Sequence, residues 1–368
     1  MRVLALLALG LLAGCAAQQR PQMTAAEGRA FIASYMPPSV ADKDGWAADI
    51  HSAMAVLEIP VTPDNVCAII SVTEQESGFR VDPPIPNLPS IAWGEIERQR
   101  EKIGVPKLVL DAALSLQSSN GKTYRERIDA AKTERQLSDV FEDLIGRVPL
   151  GRTFLEDRNP VRTGGPMQVS VTFAKAYAQE KRYPYPIVES IRDEVFTRRG
   201  GMYFGIAHLL DYPASYDRYI YRYADFNAGH YASRNAAFQS ALATASGVKI
   251  ALDGDLRAET ESAARSLPRL DMDAAQIRRD LALSKTRDFE RTDLYRRVFA
   301  LADERSGKSA PRAVVPTIEL QSAKITRRLT TAWFADRVVA RHRQCLARQG
   351  KTASLAIEAI ESFRAPGS

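Results

Sequence analysis

The chain has 368 residues, of which 45% are hydrophobic and 26% charged, a composition that supports a folded core and excludes disorder throughout. Three cysteines and four histidines exclude a disulfide-dense scaffold and a multi-histidine metal centre. The length fits two or three domains or one large helical one. The formal charge of +6 suits an anionic surface or polymer without requiring one.

Met1-Arg2 followed by the apolar run Val3 to Leu12 is too short to span a bilayer, which takes roughly 20 apolar residues. It reads as a secretion signal covering 1–14. The signal ends in Leu12-Ala13-Gly14-Cys15, which resembles the bacterial lipobox. That resemblance implies acylation of Cys15, a tether over 15–23 and an outer-membrane lipoprotein facing the periplasm, held to the membrane by its lipid. Cys67 and Cys345 then have two readings, a disulfide or two separate buried thiols.

Thr24 and Glu27 have capping-box spacing and open a helix to about Tyr35. A second helix is expected from about Trp46 to Glu58. Thr62-Pro63 supplies an N-cap and a proline at the first helical position, and that helix runs to about Ser77 before Gly78. Its apolar residues Val66, Ile69 and Ile70 recur at helical spacing. The proline-rich stretch 81–93 reads as loop. Helical patterns resume over 95–103, 107–118, 123–131 and 135–146. After the Gly-, Pro- and Arg-rich loop 147–166, helices are expected over 167–181, 187–210 (interrupted at Gly200-Gly201), 214–226, 232–245, 256–266, 272–303 and 317–347. The strand candidate is Gly247 to Leu252. Near the C-terminus, Arg327, Arg328, Arg337, Arg341, Arg343 and Arg348 form a basic helix face opposite a stripe of Val338, Val339, His342 and Cys345, the pattern of a solvated face above a buried one.

Several short patterns carry no chemistry. Asn120-Gly121-Lys122-Thr123 lacks the first glycine of a phosphate loop, and Asp253-Gly254-Asp255 lacks calcium-loop spacing; both read as turns. His208 and His230 have no partner at metal-ligand spacing, so no metal or cofactor is expected. No nucleic-acid partner is expected either.

Three segments fit one chemistry: Gln75-Glu76-Ser77-Gly78-Phe79, Gly164-Gly165-Pro166-Met167-Gln168-Val169 and Ala224-Asp225-Phe226-Asn227-Ala228-Gly229. In that order they resemble the E-S, G-x-M-Q and Y-N-A-G motifs of lytic transglycosylases of the goose-lysozyme-like superfamily, over roughly residues 62–245. The whole chain also looks like a proteobacterial lipoprotein family of uncharacterised function. The resemblance implies a mainly α protein: a lysozyme-like helical domain over 24–245, a helical insertion over 82–160 and a helical C-terminal extension over 246–368. It implies cleavage of the MurNAc–GlcNAc bond of peptidoglycan without water, leaving 1,6-anhydro ends. One carboxyl, Glu76, would act as acid and then as base, whereas most glycosidases use two. Burial and the negative end of a helix dipole both raise a carboxyl pKa. Glu76 shares a helix side with Ile69 and Val72, and Glu74 with Cys67 and Ser71, so Glu74 reads as structural.

By the same resemblance Ser77 would orient the glutamate or a substrate acyl group, Met167 and Gln168 would line the glycan groove, and Asn227 would bind near the reacting sugar. The family's tyrosine before Asn-Ala-Gly is Phe226 here, and Tyr223, one turn earlier, is the candidate replacement for its hydroxyl. Gly201 and His208 also depart from the family pattern, and the stretch from Glu76 to Gly165 is longer than the family's. A hydrolytic muramidase, with Asp82 or Asp225 as second carboxylate, and a catalytically silent peptidoglycan-binding scaffold are the alternative readings.

Overall fold

The computed structural model describes residues 23–147, 153, 155, 158–320 and 328–364, the last fifteen of these by backbone alone. The leader and Cys15 lie outside the described residues. The fold is mainly helical: 16 α-helices are described, with one two-stranded antiparallel sheet.

Helices α1 (Ala25–Tyr35), α2 (Lys43–Val56) and α3 (Pro63–Glu76) open the chain. Thr24 and Glu27 form the reciprocal capping box, and the Thr62 side chain caps α3 ahead of Pro63. Next come α4 (Leu88–Ile103), α5 (Lys107–Leu114), α6 (Tyr124–Ala130) and α7 (Glu134–Arg147). Helix α4 begins seven residues before the expected start, because Pro89 sits in its first turn, where a missing N–H is tolerated.

Strands β1 (Thr163–Gly164) and β2 (Val169–Ser170) pair as a tight hairpin where a helix start was expected. Its turn uses up 165–168, so α8 (Val171–Glu180) starts only after it, capped by Ser170. The expected long helix 187–210 is two, α9 (Ile191–Val195) and α10 (Arg198–Leu210). The break falls at Phe196-Thr197, not at Gly200-Gly201, because Thr197 caps the new helix through Gly200 N.

Then follow α11 (Tyr219–Ala228), α12 (Ala232–Ser246), α13 (Ala258–Arg265), α14 (Ala274–Ala282), a 3-10 turn at Arg287–Arg291, α15 (Asp293–Ser306) and α16 (Thr331–Arg364). The single helix expected over 272–303 is therefore three pieces, and 247–252 is not a strand. Of the expected 317–347 helix, 328–330 precede α16 and 321–327 lie outside the described residues.

Three hydrophobic clusters organise these elements. The largest joins α1, α2, α3, α8, α10, α11 and α16. A second is built by α12 to α15. A third, around Leu114, Tyr124, Ile128 and Val140, lies within α4 to α7, so these helices carry a small core of their own. The region from 246 onward does not hold together as one extension. Helix α16 packs on α3, α11 and α1, and its Phe334, Ala335, Val338 and Cys345 are buried in the first cluster. Cys67 and Cys345 are disulfide-bonded, with Cα atoms 5.6 Å apart. The bond ties residues 278 positions apart at the centre of the first cluster.

Candidate active site

Helix α3 is deeply buried; every residue from Val66 to Thr73 is buried. Fully burying a Val or Ile side chain stabilises by about 1.5–3 kcal/mol, so α3 is a fixed frame for its own C-terminus. Glu76, half-buried, is its last residue. Glu74 faces Arg348 of α16 at 3.4 Å, a structural ion pair. Ser77 Oγ donates to the Thr73 carbonyl (3.1 Å) and accepts from Arg80 N (3.3 Å), so this hydroxyl closes the helix end.

The second motif is the turn of the β1–β2 hairpin. Gln168 N donates to Gly165 O (3.1 Å), and the Gln168 side-chain amide donates to the same carbonyl (3.2 Å). Met167 is fully buried. The sequence places both on the groove wall; the structure spends Gln168 on its own turn and puts Met167 in the core.

Helix α10 touches the second and third motifs and the helix that carries the first. Met202 Sδ lies 3.9 Å from Thr73 Oγ1, one turn before Glu76. A Cβ on Gly201 would come within 2.5 Å of Pro166, and one on Gly205 within 2.5 Å of Met167 Sδ, so bare backbone lets the hairpin seat on the helix. His208 Nε2 donates to the Phe226 carbonyl (3.1 Å) in the third motif. Non-glycine residues with left-handed backbone occur in or near each motif: Phe79 (φ 61°) and Gln168 (φ 50°) within the first two, and Tyr231 (φ 65°) two residues past the third. Such conformations cost of order 1 kcal/mol or more and persist where surrounding packing imposes them, often at functional sites. Phe79 is held edge-on to Trp46 at 5.3 Å.

Tyr223 does not replace the missing tyrosine hydroxyl. It is fully buried, and its OH donates to His342 Nδ1, whose Nε2 faces Asp64 at 3.4 Å. His342 is far along the chain, on α16, so the side of α11 that it covers could not be read from helical spacing alone. Asn227 is exposed and accepts from Thr331 Oγ1 (3.0 Å) at the start of α16. Asp225 is fully buried and takes four donors: the hydroxyls of Tyr212 and Tyr216 and the amides of Tyr231 and Ser233, at 2.7–3.0 Å. Burial pushes its pKa up and these hydrogen bonds pull it back. Saturated in this way, Asp225 cannot hold a catalytic water. Asp82 sits near Asp139 of the insertion, whose carboxyl is raised chiefly by burial.

Sequence reasoning missed the ring stack beside the third motif. His208 packs on His230 (4.5 Å), Phe173 (4.6 Å) and Phe226 (5.1 Å), and His230 on Tyr212 (4.1 Å). The two histidines are 22 residues apart and carry no local signal. Burial, then the neighbouring His230, holds His208 down at about 3. Among the described residues no group of three or more His, Cys, Asp or Glu is placed to hold a metal ion, and no helix is long and apolar enough to cross a membrane.

This helical protein, with a disulfide through its core and a separate small core within α4 to α7, belongs to a defined family. Residues 39–348 match the family described as "Protein of unknown function (DUF1615)", and the chain is a member of it. It is also similar to the protein described as "Uncharacterized protein YaiW" of Escherichia coli (strain K12), with 48% identity over 355 residues, covering 93% of this chain and 97% of the relative. No solved structure matches.

Proposed function

We propose that the protein is a peptidoglycan lytic transglycosylase of the goose-lysozyme-like superfamily, anchored in the outer membrane through Cys15 and facing the periplasm. The observation that carries this reading is the convergence on α10 of the α3 end bearing Glu76, the 164–168 turn and the Phe226-Asn227 segment. In this reading Glu76 protonates the glycosidic oxygen as the bond to C1 of MurNAc breaks. The same carboxylate then takes the proton from the sugar's C6 hydroxyl as O6 closes on C1. The atoms balance without water, and the product end is a 1,6-anhydro ring. The motif residues Met167, Gln168 and Tyr223 act as scaffold here, shaping the site and leaving the sugar to be bound by other groups.

A second reading, a catalytically silent peptidoglycan-binding lipoprotein, is favoured by Phe226 and by the commitment of the Tyr223 hydroxyl to His342. Hydrolysis with Asp225 as the second carboxylate is disfavoured by its saturation. Digestion of purified sacculi with mass spectrometry of the released fragments separates the three. Anhydro ends support the proposal, reducing ends the muramidase, and binding without release the silent protein. Glu76→Gln should lower release by about 10²–10⁴-fold, the usual contribution of a general acid–base; full activity in that variant overturns the assignment.

A further inference from the structure

Four of the twelve large hydrophobic side chains that the described residues expose fall within positions 103–116: Ile103, Leu108, Val109 and Leu116, from 57% to 81% exposed. Single exposed apolar residues are ordinary, but a contiguous group of them marks a contact surface. Leu108 and Val109 belong to α5, and Leu116 to the turn that ends it. At about 100° per residue, Leu108, Val109 and Ala112 lie on the side of the helix opposite Leu110 and Leu114. Leu114 is buried, and Leu110 packs against the small core of α4 to α7. That inward pair fixes the helix. The outward side is apolar as well, with Ala112 exposed in its middle and Leu116 extending it. A helix that is apolar all round is ordinarily covered on every side.

The rim of this face is basic. Lys102 in the last turn of α4, Lys107 at the start of α5 and Lys122 in the loop that follows are all exposed. Between 98 and 122 the acids lie beside arginines, Glu101 at 3.5 Å from Arg100 and Asp111 at 2.7 Å from Arg125. Lys107 opens its helix, the end at which the helix dipole disfavours a cation, so its placement does not serve α5 itself.

Size and charge select the occupant. Eight residues at about 1.5 Å rise make α5 roughly 12 Å long. One face of so short a helix offers far less than the roughly 800 Å² that each partner gives to a stable protein interface. A second copy would also set this basic rim against its own image. A lipid surface requires neither a large area nor a shaped partner. A few apolar side chains enter the acyl boundary while lysines meet anionic headgroups.

We propose that the outward face of α5 is a bilayer-contact surface. Leu108, Val109 and Leu116 insert at the boundary between headgroups and acyl chains, and Lys102 and Lys107 meet anionic phospholipid headgroups. The proposal stands apart from the glycan-cleaving reading and from acylation of Cys15, and its failure leaves both intact.

The test uses the full chain with Cys15→Ser and Ala112→Cys. With Cys67 bonded to Cys345, a polarity-sensitive fluorophore then attaches at 112 alone. Vesicles of phosphatidylcholine and phosphatidylglycerol in equal parts should shift its emission to the blue, and lipids carrying a quencher in the upper acyl chain should quench it. Lys102→Gln with Lys107→Gln should weaken this binding by about tenfold or more, as should pure phosphatidylcholine. Leu108→Ser with Leu116→Ser should abolish the shift; both side chains are exposed, so the melting temperature should hold. No shift on the mixed vesicles, equal affinity for pure phosphatidylcholine, or a full shift in the double serine variant overturns the proposal. A shift that grows with protein concentration in the absence of vesicles assigns the face to a second copy and overturns it as well.

Discussion

Met167 lies against the bare backbone of Gly205, so closely that a Cβ at 205 would come within 2.5 Å of its sulfur and its own Cβ within 2.6 Å. This contact locks the hairpin turn of the second motif onto α10. Gly205→Ala is expected to destabilise the protein by about 1–3 kcal/mol, the usual cost of overpacking. Chemical denaturation checks this, and Gly205→Ala combined with Met167→Ala should recover part of the loss if the clash is the cause.

The hydrogen bond from Tyr223 to His342 fastens α11 to α16 inside the core. Tyr223→Phe leaves the buried His342 Nδ1 without a donor and should cost about 1–3 kcal/mol. If Tyr223 is scaffold, the effect falls on stability, and any fragment release from sacculi keeps its wild-type rate under conditions where the variant is folded. A selective loss of kcat with unchanged stability would return Tyr223 to the site.

The Cys67–Cys345 bond closes a loop of 278 residues. Removing a disulfide of this kind costs roughly 2–5 kcal/mol, mainly because the unfolded chain regains freedom. Reductant, or the Cys67→Ser/Cys345→Ser pair, should lower the unfolding midpoint, with the loss of protection concentrated where α16 meets α3. Hydrogen exchange reads this directly. Equal midpoints with and without reductant would mean that packing alone seats α16.

His208 gives a pH signature. Its folded-state pKa is held down at about 3 by burial and by His230, against about 6.5 in an unfolded chain. A depressed histidine pKa means that the unfolded state binds the proton first. Stability is therefore full above about pH 6.5 and declines as pH falls toward 3, with a slope near 1.4 kcal/mol per pH unit for one proton. His230, also lowered by burial, adds to the same trend. Melting temperatures from pH 7 to pH 5 should fall, and His208→Gln should flatten the decline. An unchanged slope in that variant removes His208 as its source.

Local chemistry made much of the fold legible. Thr24 with Glu27 and Thr62 with Pro63 mark helix starts through hydrogen bonds made within four residues. The buried stripe of α16 follows from spacing alone, since Val338, His342 and Cys345 fall on one side of a helix and are buried there. Of the expected basic face, by contrast, Arg328 precedes the helix and Arg348 turns inward to Glu74 and the Tyr35 carbonyl. The candidate glutamate was readable for the same reason: Glu76 ends an apolar, well-capped helix.

Partners far apart in the sequence were not legible. Tyr223 meets His342 across 119 positions, and His208 stacks on His230 across 22. Helical spacing states which side of a helix a residue occupies, but not which other element covers that side. So the sequence by itself determined a mainly helical chain, its main helix starts and Glu76 at the end of α3. Only the tertiary structure decided that Met167 and Tyr223 are fully buried, that the Gln168 amide closes its own turn, that Asp225 is saturated and that α16 belongs to the first core. Those outcomes depend on long-range packing and on which buried polar groups find partners, and both are settled only when all the helices have docked.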